Sequence, residues 1–417
     1  MYHFMSMYHH IISDKAFRAI HAWVQRKLGE VAEIKTGPFG STLHAEDYVD
    51  DGMPIITTEH FKSGDLPVNK NGIPQVSDMD YKRLKQYLLV KGDIVFSRVG
   101  SVDINALVLE FQEGWMFSGR VLRVRPDKNI LGLFLHYELD TTRAKNDVTS
   151  RAVGQTMPSI NTEILKDTTV YISELLPEQT IIGNFFHTID DTITLYKRKL
   201  DGLKELKKGY LQQMFPQAGK DVPQLRFTGF AGNWEKMRLG EVSTKVGRRN
   251  SNGEDFPAYS INNQVGFIPQ GEQFEDSRLD NLNKDAYKIV EPNDFAYNPA
   301  RVNVGSIAFN NLAKSVIISS LYVVVKMDES VDNGFVLQYI MSPEFITEVR
   351  KNTEGTVREY LFYENFANIA FPFAPIKAEQ AAIGNFFRNI DEQILDQQSK
   401  LDKLKQLKSA YLQKMFI

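Results

Sequence analysis

A stretch of about 38 residues from Glu178 to Phe215, EQTIIGNFFHTIDDTITLYKRKLDGLKELKKGYLQQMF, returns from Glu379 to Phe416 as EQAAIGNFFRNIDEQILDQQSKLDKLKQLKSAYLQKMF. About 22 positions are identical at a constant offset of about 201 residues. A shorter echo precedes each copy: Trp23 to Val31 reads WVQRKLGEV and Trp234 to Val242 reads WEKMRLGEV. Further matches in the same register are Gly92-Asp93 with Asn293-Asp294, and Gly154 with Gly355. The chain is one module written twice.

The 417 residues are 42% hydrophobic and 24% charged, enough for more than one buried core. With no cysteine, disulfides, Cys-ligated zinc, iron-sulfur clusters and thiol catalysis are excluded, which fits a reducing cytosol. No apolar run approaches a membrane span, and the first residues do not read as a secretion signal, so a cytoplasmic chain without membrane contact is expected. The net charge of -3 leaves nucleic-acid binding to local patches.

The expected organisation is a leader over 1–22, a mixed, strand-rich domain over 23–176, a long helix over 177–216, a linker over 217–233, a second strand-rich domain over 234–375 and a second long helix over 376–417. Short β-rich runs such as MPIITT, GDIVFSRV and GRVLRVRP in the first domain, and AYSIN, NDFAYNP and SLYVVVK in the second, are broken by turn signals. Pro216, Gly219, Pro223, Gly229 and Gly232 end the first helix. The fold class is α+β.

Within the first long helix Ile182, Phe186, Ile189, Ile193, Tyr196, Leu200, Leu203, Tyr210 and Met214 follow steps of four and three, as in a coiled-coil seam. Ile383, Phe387, Ile390, Ile394, Leu401, Leu404, Tyr411 and Met415 repeat it. Each helix is the other's nearest candidate partner. Lys207 and Lys408 interrupt both seams at the same position, and Gln397 interrupts the second alone. The expected arrangement of the lysines is stems along the seam edge and ammonium groups in water. The run Lys197, Arg198, Lys199, Lys204, Lys207, Lys208 reads first as a solvated helix face.

Enzymatic motifs fail on inspection. FAYNPARV around Asn298 lacks the second proline and the aromatic of an amino-methyltransferase loop, and there is no glycine-rich adenosyl cradle or GxxxxGK[ST] phosphate loop. The eight histidines show no metal-binding spacing, and Asp50-Asp51 precede Gly52 as a turn would. No catalytic residue and no metal site are expected.

The WxxxxLGEV openings, the PEQ and AEQ helix starts at Pro177 and Ala378, the twin IGNFF segments, the LKxLKxxYLQxMF helix ends and the LRFTGF linker resemble the specificity (S) subunits of type I restriction-modification systems. The resemblance implies two target-recognition domains, each reading one half of a split site in double-stranded DNA. The two long helices would serve as spacer and docking site for two modification (methyltransferase) subunits. It also implies restriction (endonuclease/translocase) subunits in the complex, and S-adenosylmethionine in the modification subunits rather than in this chain. A duplicated module can address two half-sites through a pseudo-two-fold axis, which would set the helices antiparallel as a coiled coil.

Base edges are read by Arg, Asn, Gln, Ser, Thr and Lys on loops or strands that face a groove. The candidates in the first domain are Thr57, Thr58 and His60 in ITTEHF, Arg98 and Ser101 in FSRVGS, and Arg151, Gln155 and Thr156 in SRAVGQT. In the second they are Asn262, Asn263 and Gln264 in SINNQVGF, Arg301 and Asn303 in NPARVN, and Thr356 and Arg358 in EGTVRE. Lys245, Arg248 and Arg249 in KVGRRN form a candidate phosphate-facing patch. The alternative function is a scaffold whose twin helices assemble partners without DNA.

Overall fold

The computed structural model describes residues 23–38, 42–217, 219–263, 265–273, 284–353 and 360–416; the expected leader lies outside them. The chain divides into two units. One comprises residues up to Tyr196 together with Lys400–Ile417, and the other comprises Lys197–Ser399.

In the first unit an antiparallel sheet runs Ala32–Thr36, Val121–Pro126, Ile94–Ser97, Asn105–Leu107 in spatial order. A second sheet runs Tyr48–Val49, Gln75–Val76, Met53–Ile56, Met116–Phe117, its last two strands parallel. A third, two-stranded sheet pairs Trp23–Lys27 with Thr169–Ser173, Trp23 opposite Ser173. The second unit repeats the antiparallel sheet and the two-stranded pair, while its mixed sheet keeps the parallel contact but orders its flanking strands differently. Its antiparallel sheet runs Ser243–Val246, Val323–Met327, Phe295–Tyr297, Ile307–Phe309. The mixed sheet runs Gly266–Pro269, Ala258–Asn262, Val316–Ile318, Lys288–Val290, and Glu235–Arg238 pairs with Ala370–Phe373.

The helices correspond as well. Gly132–Leu139, Thr142–Ser150 and Thr162–Lys166 in the first unit match Asn333–Ile340, Pro343–Asn352 and Tyr363–Asn368 in the second. Thr141 caps its helix by accepting from the Ala144 N–H, and Ser342 accepts in the same way from Phe345. Gly92 and Asn293 both adopt positive φ, 91° and 71°, a conformation that glycine takes freely and asparagine more readily than most residues. The aspartate that follows each accepts from a backbone N–H three residues earlier, that of Val90 for Asp93 and of Glu291 for Asp294. That explains the matched dipeptides.

The two long helices are Leu176–Met214 and Lys377–Met415, 39 residues each. In the first unit Phe186 packs on Phe416 and Asp190 pairs with Lys408, so chain position rises along one segment as it falls along the other. The segments are antiparallel there, and in the second unit the pairs Lys207–Asp391 and Tyr210–Phe386 show the same sense. Ile182, Phe186, Ile189 and Ile193 also join the core of the first domain, beside Phe134, Leu135 and Leu165. The equivalent core holds Ile383, Phe387, Ile390 and Ile394 beside Phe335, Val336 and Phe366. The seam is therefore a three-way junction of helix, helix and domain.

Glycine inside a helix is less favourable than alanine by about 1 kcal/mol, so Gly384 requires a reason. A Cβ at Gly384 would lie 2.7 Å from Asp332 Oδ1 and 2.9 Å from the Phe335 backbone nitrogen, whereas one at Gly202 would meet nothing within 4 Å. Gly384→Ala is expected to destabilise the second unit by about 1–3 kcal/mol through overpacking. Gly202→Ala is expected to raise stability by roughly 0.5–1 kcal/mol, and urea titration of both variants reads the opposite signs.

Candidate nucleic-acid interface

The candidate loops of the first unit meet at one edge. The Ile160 N–H donates to the Arg98 carbonyl and the Gly100 N–H to the Pro158 carbonyl, which brings FSRVGS against SRAVGQT. The Arg98 N–H donates to the Arg120 carbonyl and the Ser118 N–H to the Ile56 carbonyl, which brings in the strand end that precedes Thr57. Register carries over to the second unit, where the Leu361 N–H donates to the Pro299 carbonyl. There Asn263 Nδ2 donates to the Val304 carbonyl at 3.3 Å, joining the SINNQVGF turn to NPARVN.

Individual side chains fall into two groups. Several brace the loops. Arg98 donates to the carbonyls of Ile160 and Gly119 at 3.3 and 3.0 Å. His60 Nδ1 accepts from the Thr57 N–H at 3.0 Å, which caps the turn Thr58–Phe61; Thr58 is half-buried in it. Burial lowers the His60 pKa from its ordinary value, against the raising effect of Glu59. Arg151 Nε donates to Asp147 at 2.8 Å, Arg248 pairs with Glu254 at 2.7 Å, and Lys245 lies 3.8 Å from Glu364. Asn262 Oδ1 accepts from the Val265 N–H at 3.3 Å.

Others stand outward: Ser101, Gln155, Thr156, Arg249 and Arg301 are exposed, as is Arg120, which sequence reasoning passed over. Asn303 lies in the turn Val302–Val304. Gln264, Thr356 and Arg358 lie outside the described residues. Near KVGRRN, burial and then the charges of Lys245 and Arg249 lower the Lys288 pKa; its ammonium donates to the Tyr322 carbonyl at 2.5 Å.

The seam lysines depart from the expectation of ammonium groups in water. Lys207 Nζ lies 2.6 Å from Asp391 Oδ1 with its side chain 18% exposed. Lys408 Nζ lies 2.8 Å from Asp190 with its side chain 20% exposed, and 3.7 Å from Asp140. The reason is an aspartate on the opposing helix at the matching position in both copies. Each aspartate takes a further bond, from Tyr137 Oη at 2.8 Å to Asp190 and from Gln338 Nε2 at 3.4 Å to Asp391. Gln397 is buried. Of the other seam residues, Leu200, Leu401 and Leu404 are buried, while Leu203, Tyr210 and Tyr411 are half-buried.

Removing one charge of such a pair leaves its partner without compensation. Lys207→Met is expected to lower stability by roughly 1–3 kcal/mol. The double variant Lys207→Met with Asp391→Leu should recover at least half of that loss, and a double-mutant cycle by chemical denaturation measures the coupling.

A duplicated α+β module with exposed, polar loop edges and paired long helices defines the class of protein, and comparison with known proteins supplies the family. Residues 21–205 match the sequence model of the type I restriction modification DNA specificity domain. The chain is 25% identical over 410 residues to the putative type I restriction enzyme MjaX specificity subunit of Methanocaldococcus jannaschii, covering 94% of this chain and 92% of that relative. It is 20% identical over 414 residues to the MjaVIII specificity subunit of the same organism, covering 94% and 91%. Among solved structures, the S subunit of a type I restriction-modification system from M. genitalium aligns with a TM-score of 0.64 at 15% identity, covering 96% of this chain and 97% of that one. A chain from a study of complex assembly and conformational transition in a type I system aligns with a TM-score of 0.52 at 19% identity, covering 94% and 97%. Residues 21–205 thus carry the type I DNA specificity domain, and over 94% of its length the chain is similar to specificity subunits of type I restriction-modification systems.

Proposed function

We propose that this chain is a specificity subunit that reads a bipartite DNA site, one half-site per recognition domain with an unread spacer between, and that its long helices dock two modification subunits. The observation that carries this reading is the doubled module. Two units share the strand order of the antiparallel sheet, one helix order and a seam salt bridge at a single offset, while their loop edges differ in sequence. Like helices suit like partners, and unlike loops suit unlike half-sites. In this reading the chain performs no chemistry. Methyl transfer, with S-adenosylmethionine, belongs to the modification subunits, and cleavage belongs to restriction subunits of the same cytoplasmic complex. Among the described residues no helix is long and apolar enough to cross a membrane.

The test is a domain exchange. Residues 23–173 are replaced by the corresponding part of another specificity subunit, and methylated adenines are mapped in the DNA of a host expressing the full complex. The expected result is a split motif in which one half changes and the other half and the gap persist. A motif that changes in both halves, or an unsplit one, would overturn the assignment of one half-site to each domain. Assembly of the modification subunits without any sequence preference would favour the scaffold reading.

A further inference from the structure

The loop 153–159 of the first unit is pinned at both ends. Val153 and Ser159 exchange two backbone hydrogen bonds, each 2.9 Å, and the Gly100 N–H holds the Pro158 carbonyl at 2.8 Å. Gly154 sits at φ +104°, and a Cβ there would fall 2.7 Å from the Met157 carbonyl oxygen, so the tight form of the loop requires glycine. A loop held this way fixes the direction of its side chains. Val153 is 66% exposed and Met157 65% exposed. Neither joins a hydrophobic cluster of the described residues, although Ala152 and Ile160 on either side do.

Between the two stand Gln155 and Thr156, exposed and able to donate and accept hydrogen bonds, and Arg151 and Arg120 are exposed on the same edge. The centre of a protein–protein interface is depleted of charge, so this mixture suits a duplex better than a protein surface. In the major groove thymine is marked by its C5-methyl group, which proteins read through apolar contact. Hydrogen-bonding side chains alone do not sense it.

We infer that Val153 and Met157 read the 5-methyl group of thymine in the half-site addressed by the first unit, an assignment that rests on the DNA-recognition function proposed above. The test uses the complete complex with its modification subunits and a duplex carrying the mapped site. Each thymine of the first half-site is replaced in turn by deoxyuridine, which removes only the methyl group. For the unaltered complex, binding should weaken by about fourfold at each contacted position, and substitutions in the other half-site should leave the Val153/Met157 contact untouched. The variant Val153→Ala with Met157→Ala should bind thymine and uracil duplexes alike. Because both side chains are exposed, its melting temperature should match the parent's. Sequence-specific binding that is indifferent to thymine or uracil throughout the first half-site overturns the contact while leaving the DNA-reading function intact. So does a first half-site without thymine on either strand, or a variant that loses modification subunits with its thymine preference unchanged. A complex without any sequence preference overturns both the contact and the function beneath it.

Discussion

Gln179→Leu is expected to destabilise the first unit by roughly 3–9 kcal/mol, because it strips hydrogen bonds from three backbone groups at about 1–3 kcal/mol each. The Gln179 side-chain oxygen accepts from the Leu131 N–H at 2.7 Å, and its amide donates to the carbonyls of Asn129 and Ser173 at 3.0 and 2.8 Å. The residue is fully buried, so water cannot replace those bonds in place. One side chain thus fastens the start of the long helix to the strand that ends at Ser173 and to the loop that enters Gly132–Leu139. Gln380 does the same in the second unit, accepting from the Asp332 N–H at 2.8 Å and donating to Ala374 at 2.8 Å and Ser330 at 3.3 Å. Since a single domain is stable by only about 5–15 kcal/mol, the loss is a large fraction of the whole. Urea denaturation measures the change, and hydrogen exchange at the Leu131 amide should lose its protection. A shift below about 1 kcal/mol with that amide still protected would show that the clamp is dispensable.

These clamps lay in plain view in the sequence as EQ at Glu178-Gln179 and Glu379-Gln380, yet the repeat alone marked them as helix starts and gave no role for the glutamine. Their partners are backbone groups, the Leu131 and Asp332 N–H among them 48 residues away, which carry no side-chain signature. The long helices were legible because a seam in steps of four and three over ten turns has few other solutions. The paired strands were legible as β-rich runs, but their order was not. Strands of two to six residues pair across long sequence separations, and alternation does not say with whom. The seam lysines were misread for a related reason: periodicity placed Lys207 at the interface, while the identity of Asp391 as its partner depends on the antiparallel register. The same limit separates Tyr210 and Tyr411, half-buried, from their neighbours Leu211 and Leu412, which are buried. Near its end each helix meets a domain as well as a helix, and the inward face turns by one residue. At the candidate interface, residue type did not separate Arg98, spent on carbonyls, from Arg301, exposed.

Phe416→Ala should cost the first unit about 3–5 kcal/mol, the usual range for removing a buried phenylalanine. Phe416 closes an aromatic cluster in which its ring lies 5.8 Å from Trp23, 5.4 Å from Phe134 and 5.8 Å from Phe186. It brings together the opening strand, a domain helix and both long-helix segments of that unit, so its loss opens a cavity where four elements meet and none can close it alone. Phe215 occupies the matching place in the second unit, 5.9 Å from Trp234 and 5.3 Å from Phe335, and Phe215→Ala should behave alike there. For a body of this size the expected fall in melting temperature is roughly 6–20 °C. Gln413→Ala, three residues away on the exposed face, should change stability by no more than about 0.5 kcal/mol. Calorimetry on the three variants separates the readings. Equal, small effects from Phe416→Ala and Gln413→Ala would mean that the last turn of the chain is not part of the first unit's core. Large effects from Phe416→Ala and Phe215→Ala, with none from Gln413→Ala, would explain why each repeated helix ends in a buried phenylalanine: the module cannot close without the end of the other copy's helix.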